Sequence, residues 1–324
     1  MSELVFATKK TLKQPVGGLI VEAPQEQDYV LGATGPEFEM LVPSGQWHDF
    51  LPVSELQRNR HGDTYMCVSF SLNNIHEFLV KRKYNEEINK SDIFLGVGSG
   101  TTRGRGNSKR TVADWNRLNG FVLETDHPYT KEMTLDEAYR ALSAMLLETG
   151  RRQLEGWEFG YKWLPSNGVF SMTNGLKISP LQVDVSGSYK MNSQGCIAWD
   201  KGNPAYDHEV TIFGYEDGKC WHVFDSETEQ AIKFAWGYPF GGPMIHSVVK
   251  KKTGIQLYKK VGQSGIAFKH ISEPSLIVFS GGSVEGGGLL LSLYGVSNFS
   301  ELPIVEVVEW PYPIRHMLNT NPTR

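Results

Sequence analysis

The sequence predicts an α+β fold, with helices in the first half of the chain and antiparallel strands in the second half. Between Thr64 and Tyr84, apolar side chains recur at spacings of three, four and seven residues, which is typical of a buried helix. From about Pro180 onward, short apolar runs are separated by turn residues, which is typical of strands. Helices and strands that are segregated along a chain in this way indicate an α+β architecture.

Two segments of the first half predict extended or irregular structure. Residues 1–46 predict an extended N-terminal arm, because LIVEA and FEMLV are short apolar runs separated by Gly, Pro and acidic residues. The Gly-rich and basic stretch at 96–110 predicts a loop. Its glycines do not have the strict spacing of a phosphate-binding loop, so we favour a loop without phosphate chemistry.

Two further helices are expected between this loop and the strands. A short helix is predicted at 111–120, and Gly120 ends it. Residues 134–150 predict a second helix, in which Thr134 is the N-cap and Glu137 stands at the capping-box position.

The second half of the chain predicts a set of short strands. They are expected at 181–186, 208–216, 220–226 and 231–238, and Gly218 stands where a hairpin turn would join the second to the third.

After about residue 252 a third, Gly-rich region with strand-like apolar runs begins. We therefore expect an arm at 1–46, a larger central domain at 47–252 and a β-rich extension at 253–324.

Composition excludes several classes of function. The 324-residue chain has a net charge of −4 and an isoelectric point near 6.2, so it has no excess of basic residues that would indicate nucleic-acid binding. Three cysteines are too few for a disulfide framework, and no run of about 20 apolar residues predicts a membrane span. The N-terminal sequence lacks the apolar core of a signal peptide, so we expect a cytoplasmic protein or a component of a particle assembled there.

Three residues form a candidate catalytic set. Cys67 stands where the buried helix begins, and a helix N-terminus favours a thiolate. His208 opens a strand and Asp225 ends the next strand, so a hairpin would bring the imidazole beside the carboxylate. Taken singly, each residue has a plainer interpretation: a buried cysteine in the core, a histidine at a strand end and an aspartate in a turn.

Five sequence segments, taken in order, resemble the papain-like cysteine peptidases. The stretch around Cys67, HGDTYMCVSFS, resembles the family's segment around its nucleophile, and HEVTIFGY from His208 resembles the segment that begins with its catalytic histidine. The histidine follows the cysteine by 141 residues, within the roughly 130–150 expected of papain and cathepsin relatives. The remaining segments are GFVLETDHPY at 120–129, SPLQV at 179–183 and WHVFDS at 221–226.

This resemblance implies a papain-like fold with a helical half, an antiparallel β half and a cleft between them, one side of which the loop at 96–110 would line. It implies a hydrolase that cleaves a peptide or isopeptide bond without a cofactor. Cys67 would be the nucleophile, His208 the base and Asp225 the residue that orients the imidazole. The oxyanion would be bound by the Cys67 backbone N–H together with His61 or Gln57.

The sequence departs from the family's pattern at positions that surround the candidate triad. His61 replaces the family's oxyanion glutamine, and Gln57 is nearby but out of register. Asp225 replaces an asparagine, Glu227 replaces a tryptophan, and Glu209 replaces the small residue that follows the histidine. These changes put activity in question while leaving the fold prediction intact.

Two alternatives to a peptidase stay open. The chain could be a structural component with little or no activity, of the kind that tailed bacteriophages build from peptidase-like domains, in which protein partners contact the arm and the C-terminal extension. An acyl transferase such as a transglutaminase also uses Cys, His and Asp in this order. A Cys67 that is buried or blocked would favour the structural alternative, whereas an open groove with Sγ within about 3–4 Å of a His208 nitrogen would favour the hydrolase.

No metal site is expected from sequence. Cys196, Cys220, His222 and His246 could be grouped as ligands, but their spacing matches no metal-binding signature.

Overall fold

The computed structural model describes residues 4–14, 17–25, 38–199, 202 and 204–251, together with the backbone of five strands between 255 and 310. The chain divides into two compact units, Met1–Val249 and Lys250–Arg324.

The first unit contains six α-helices and eight strands among its described residues. The helices are α1 (Cys67–Tyr84), α2 (Asp92–Gly98), α3 (Lys109–Asn119), α4 (Leu135–Ala138), α5 (Ala144–Gly156) and α6 (Val169–Leu176), and a short 3-10 helix spans His48–Phe50. The strands are β1 (Arg58–Asn59), β2 (Gly62–Asp63), β3 (Trp157–Trp163), β4 (Leu181–Val185), β5 (His208–Glu216), β6 (Cys220–Phe224), β7 (Ile232–Ala235) and β8 (Gly241–Lys250). None of these helices combines the length and apolar composition needed to cross a membrane.

Helix α1 forms the centre of the helical half, as its apolar spacing predicts. Every residue from Cys67 to Val80 is buried, which explains why the helix carries no polar face in the sequence. Its inner side packs against β5, where the Phe78 and Phe213 rings stack 6.0 Å apart. The helix ends where Asn85 adopts the left-handed conformation at φ 53° and donates its N–H to the Lys81 carbonyl.

The helix expected at 134–150 is divided into two. Its predicted capping box is present, because Thr134 and Glu137 each hydrogen-bond the other's backbone, but α4 ends after one turn. The Tyr139 hydroxyl reaches the carbonyl of Thr64, and Ser143 then caps the new helix α5. The prediction of one continuous helix is therefore wrong: Tyr139 bonds to a residue 75 positions away where α4 ends, and the local cap at Ser143 starts a separate helix.

The β half is a six-stranded sheet with the order β3-β8-β4-β5-β6-β7. The four strands expected from sequence are β4, β5, β6 and β7, and Gly218 at φ +69° turns the hairpin between β5 and β6. The pairs from β4 to β7 are antiparallel. This arrangement is the mixed helix and antiparallel sheet that the sequence predicts.

The second unit contains a five-stranded antiparallel sheet with the order β12-β11-β10-β9-β13. Its strands are β9 (Ile255–Lys259), β10 (Gly265–His270), β11 (Leu276–Ser283), β12 (Leu289–Gly295) and β13 (Val307–Trp310).

Candidate active site

Cys67 is the first residue of α1, and the backbone just before it is strained. Tyr65 lies in the left-handed region at φ 55°, which a residue with a side chain rarely adopts. The Asp63 carboxylate holds this turn by accepting the Tyr65 backbone N–H at 2.5 Å. Strain of this kind persists where surrounding bonds fix it, and it is common at functional sites.

His208 and Asp225 lie side by side, as the hairpin predicts. His208 is the first residue of β5, Asp225 directly follows β6, and the imidazole Nε2 lies 2.8 Å from Asp225 Oδ1. Neither side chain is exposed to solvent. The other imidazole nitrogen, Nδ1, is buried and has no hydrogen-bond partner within the described part of the chain.

The Asp225 carboxylate is fixed by two further donors. The Tyr189 hydroxyl donates to Oδ2 at 2.9 Å, and the Glu227 backbone N–H donates to Oδ1 at 3.0 Å. Because both oxygens are engaged, the carboxylate has a single orientation toward the imidazole. Sequence reasoning did not find Tyr189, which lies on an irregular segment and belongs to no recognisable motif.

Cys67 lies at the same end of the sheet as His208. The backbone N–H of Glu209, the residue after His208, lies near the Cys67 thiol and lowers its pKa. Burial raises the pKa of this thiol well above its usual value, and the nearby carboxylates of Glu209, Asp63 and Asp225 raise it further. Burial and these carboxylates therefore favour the protonated thiol and oppose the helix N-terminus, which favours a thiolate.

The chain's own N-terminal segment passes directly against Cys67. The N–H groups of Gly18 and Leu19 donate to the Asp207 carbonyl at 2.7 and 3.1 Å. On the other side, Ile20 donates to the Asn107 carbonyl at 2.7 Å, and Asn107 donates back to the Gly18 carbonyl at 3.0 Å. We call residues 17–20 the covering segment, because they span from the helical half to the β half over Cys67.

Glycine is required where the covering segment passes the thiol. A Cβ atom at position 18 would lie 2.8 Å from the Tyr65 carbonyl oxygen, closer than real Cβ contacts allow, and 3.0 Å from Cys67 Sγ, which is tighter than most of them. A Cβ atom at Gly106 would in turn lie 1.7 Å from the Gly18 carbonyl oxygen. The two glycines thus permit the closest approach of this backbone to the candidate nucleophile.

The loop that contains Asn107 borders the covering segment on one side. It is shorter than the predicted 96–110, because α2 continues to Gly98 and α3 begins at Lys109. The Asn107 side chain donates to Ser99 and to Thr101 at 3.1 to 3.2 Å, which fixes the loop from within. Its role as a cleft-lining loop stays a prediction.

The two oxyanion candidates lie in different surroundings. His61 is an exposed residue at the turn between β1 and β2, where its ring accepts a hydrogen bond from Arg60 at 3.0 Å. Gln57 is fully buried, and its amide nitrogen donates to Glu227 at 2.8 Å and to both Asp63 oxygens at 3.2 Å. Their role as donors to an oxyanion stays a prediction.

A buried charge cluster lies behind the candidate triad. Asp184 and Glu209 are cross-strand partners on β4 and β5, and Lys109 Nζ contacts the Asp184 carboxylate. Glu209 Oε1 lies 3.8 Å from the same ammonium group. Burial raises the pKa of the Glu209 carboxyl well above its usual value, and the Lys109 charge opposes this shift.

The comparisons with known proteins concern the fold. No protein-family model and no curated protein sequence matches the chain. Xylellain, a cysteine protease from Xylella fastidiosa, has a similar structure, with a TM-score of 0.52 and 14% identity over 76% of this chain and 100% of that one. The cysteine protease and lectin-like domains of Cwp84, a surface layer associated protein of Clostridium difficile, give a TM-score of 0.50 and 16% identity over 72% of this chain and 59% of that one. The chain therefore has a papain-like cysteine-protease fold.

Proposed function

We propose that this protein is a papain-like cysteine hydrolase that cleaves a peptide or isopeptide bond, and that the structure is its closed state. Cys67 is the nucleophile, His208 the general base and Asp225 the residue that orients the imidazole. The bacteriophage origin expected from sequence has no support among the structural neighbours and stays a prediction.

The chemistry follows from how the imidazole is held. Asp225 Oδ1 accepts the Nε2–H, which leaves Nδ1 as the basic nitrogen that takes the proton from the Cys67 thiol. The sulfur then attacks the substrate carbonyl carbon, and the amine leaves with the proton from His208 as the C–N bond breaks. Water, deprotonated by the same imidazole, hydrolyses the thioester and restores the thiol.

One observation carries the choice of substrate class: the groove already holds an extended peptide backbone. The Asp207 carbonyl, next to His208, and both backbone groups of Asn107 bind the covering segment directly above Cys67. These backbone groups would bind any extended peptide in the same way once the covering segment leaves. A peptide bond would then lie above Cys67, where the Gly18 backbone lies in this state.

The same covering segment also favours a second candidate. A Cys67 that is buried, protonated and blocked fits an inactive structural component, with protein partners on the N-terminal arm and the C-terminal extension. The two candidates differ in whether the covering segment can leave and whether Cys67 then behaves as a thiolate.

The experiment compares two adjacent glycine variants. In Gly18→Ala the new methyl group clashes with Tyr65 and Cys67, so we expect the covering segment to leave the groove. Gly17→Ala is the matched control, because its methyl group would lie 3.4 Å from Asp207, an ordinary contact. Alkylation of Cys67 by iodoacetamide, followed by mass spectrometry, reports its exposure, and hydrolysis of a fluorogenic peptide mixture reports activity.

If the protein is a hydrolase, Cys67 should be alkylated at least about tenfold faster in Gly18→Ala than in wild type at pH 7. Adding His208→Ala should abolish this gain, and Cys67→Ala should abolish peptide hydrolysis. If the protein is an inactive structural component, Cys67 in Gly18→Ala should react no faster than Cys196 or Cys220. Adding His208→Ala should not change that rate, and the protein should hydrolyse no peptide.

A further inference from the structure

A second cluster of chemically active side chains lies on the β5–β6 hairpin, away from Cys67. Glu216 of β5 and Cys220 of β6 are cross-strand partners at the end of the hairpin. Cys220 and His222 are two residues apart on one strand, so their side chains point to the same face of the sheet. One ligand atom from each of Glu216, Cys220 and His222 lies within 4.8 Å of the other two.

Cys196 adds a second thiol to this group. Ile197 pairs with Phe234 of β7, because its N–H donates to the Lys233 carbonyl at 2.7 Å and its carbonyl accepts from Ala235 at 2.8 Å. This pairing brings the Cys196 thiol near the Cys220 thiol. Both cysteines are buried and free, with exposed fractions of 5% and 2%.

The imidazole of His222 is held with one nitrogen facing the cluster. Nδ1 lies 2.7 Å from His48 Nε2, whereas Nε2 lies 3.3 Å from Glu216 Oε1. The Phe6 ring packs against the imidazole at 4.7 Å and restricts its rotation. Protein metal sites use this arrangement, in which one ring nitrogen binds the ion and the other is fixed by a neighbouring group.

The charges of the cluster balance around a divalent ion. Two thiolates, one carboxylate and one neutral imidazole would leave a net charge of −1 on a site that holds a dication. Lys233 Nζ lies 2.6 Å from Glu216 Oε1 and offsets that charge. Sulfur and nitrogen ligands select zinc over calcium or magnesium, and four protein ligands without an open position are typical of structural zinc sites.

We propose that Cys196, Cys220, His222 and Glu216 form a structural zinc site that ties the segment around residue 196 to the β5–β6 hairpin. On binding, two S–H bonds break, two Zn–S bonds form, and two protons pass to the buffer. The sequence predicts no metal site, because the spacing of Cys196, Cys220, His222 and His246 matches no metal-binding signature. His246 lies elsewhere and is bonded to Gln182 at 3.0 Å, and Glu216 completes the ligands.

The test uses the full-length protein after dialysis against a chelator. Titration with Co²⁺ reports thiolate ligation through a sulfur-to-metal charge-transfer band, and competition between Zn²⁺ and a coloured chelator gives the affinity. The variants are Cys220→Ser, Cys196→Ser and Glu216→Gln. Cys67→Ser is the matched control, because it removes a buried thiol outside the cluster.

We expect one zinc per chain, an affinity at least about 100-fold weaker in Cys220→Ser and Cys196→Ser, and roughly tenfold weaker in Glu216→Gln. The Cys67→Ser protein should bind as wild type does. Glu216 is 39% exposed at its side chain, so Glu216→Gln tests the site even if a cysteine variant does not fold. Three results overturn the proposal: Co²⁺ bound without the charge-transfer band, equal loss in Cys67→Ser, or a Cys196–Cys220 disulfide in place of bound metal.

Discussion

Asp225 holds His208 through a 2.8 Å contact between Oδ1 and the imidazole Nε2. The same oxygen accepts the Glu227 backbone N–H at 3.0 Å, and Oδ2 accepts the Tyr189 hydroxyl at 2.9 Å. Because all three partners are fixed by the fold, the direction in which the imidazole presents Nδ1 depends on this carboxylate.

Two substitutions at Asp225 should therefore differ. Asp225→Ala removes the acceptor, so in the Gly18→Ala background we expect Cys67 alkylation at pH 7 to fall about tenfold or more. Asp225→Asn should retain most of the alkylation rate. The Glu227 backbone N–H donates to the position of Oδ1, so it favours the amide oxygen there, and an acceptor then remains beside Nε2. Iodoacetamide kinetics measure both.

Asp217→Ala is the matched control for these variants, since Asp217 is exposed in the turn of the same hairpin. Equal rates in Asp225→Ala and Asp225→Asn would show that the carboxylate does not orient the imidazole through this hydrogen bond.

The pH dependence of Cys67 alkylation should change when the covering segment leaves. Burial and the carboxylate of Glu209 raise the pKa of the thiol in the closed state, so the reactive thiolate forms only at a pH above that of an ordinary cysteine. In Gly18→Ala the thiol gains access to water and to His208, and we expect the midpoint of the rate–pH profile to move to lower pH. Gly17→Ala should keep the wild-type midpoint. A single midpoint in all three proteins would contradict the role of the covering segment.

The elements that could be predicted from sequence are those whose pattern is local. The 3.6-residue period of α1 and the apolar run of β5, with Gly218 after it, indicated where Cys67, His208 and Asp225 lie on their elements. The covering segment could not be predicted, because Gly17 and Gly18 have no side chain that signals a partner. Its bonds join backbone groups about 90 to 190 residues apart, a separation that no local pattern records.

The break between α4 and α5 was missed for a related reason. Residues 134–150 have the capping and composition of one helix, and the bond from Tyr139 to Thr64 that accompanies the end of α4 involves a residue 75 positions away. Gly150, the last residue of the predicted range, lies within α5. A Cβ atom there would lie 2.6 Å from the Phe94 ring and 2.7 Å from the Asn119 carbonyl oxygen, so glycine permits close packing rather than termination.

Lys109 should contribute far more to stability than a surface lysine. Lys109 and Asp184 are each only 2% exposed, so Lys109→Met leaves a buried carboxylate without its partner. We expect the free energy of unfolding to fall by about 3–5 kcal/mol, measured by urea titration. Adding Asp184→Asn should restore part of the loss, because the uncompensated charge is then removed. Lys81→Met is the control, since Lys81 pairs with the exposed Glu87 and should cost a small fraction of that loss. Equal losses in the two lysine variants would contradict this account.

Glu227 should make the stability of the protein fall as the pH rises. Burial raises the pKa of this carboxyl from 4.5 to about 9, and the hydrogen bond and charge of Asp63 raise it as well. The folded state therefore keeps a proton that the unfolded chain releases above about pH 4.5. Between these two values the folded state binds more protons, so the free energy of unfolding decreases with increasing pH.

Glu227→Gln retains an uncharged side chain of the same shape and removes this dependence. The urea-unfolding free energies of wild type and variant should thus differ least at pH 5, and the variant should gain steadily on wild type toward pH 9. Glu132→Gln, at a side chain that is 69% exposed, should follow wild type throughout. A constant difference between Glu227→Gln and wild type across this range would mean that Glu227 is already ionised in the folded protein.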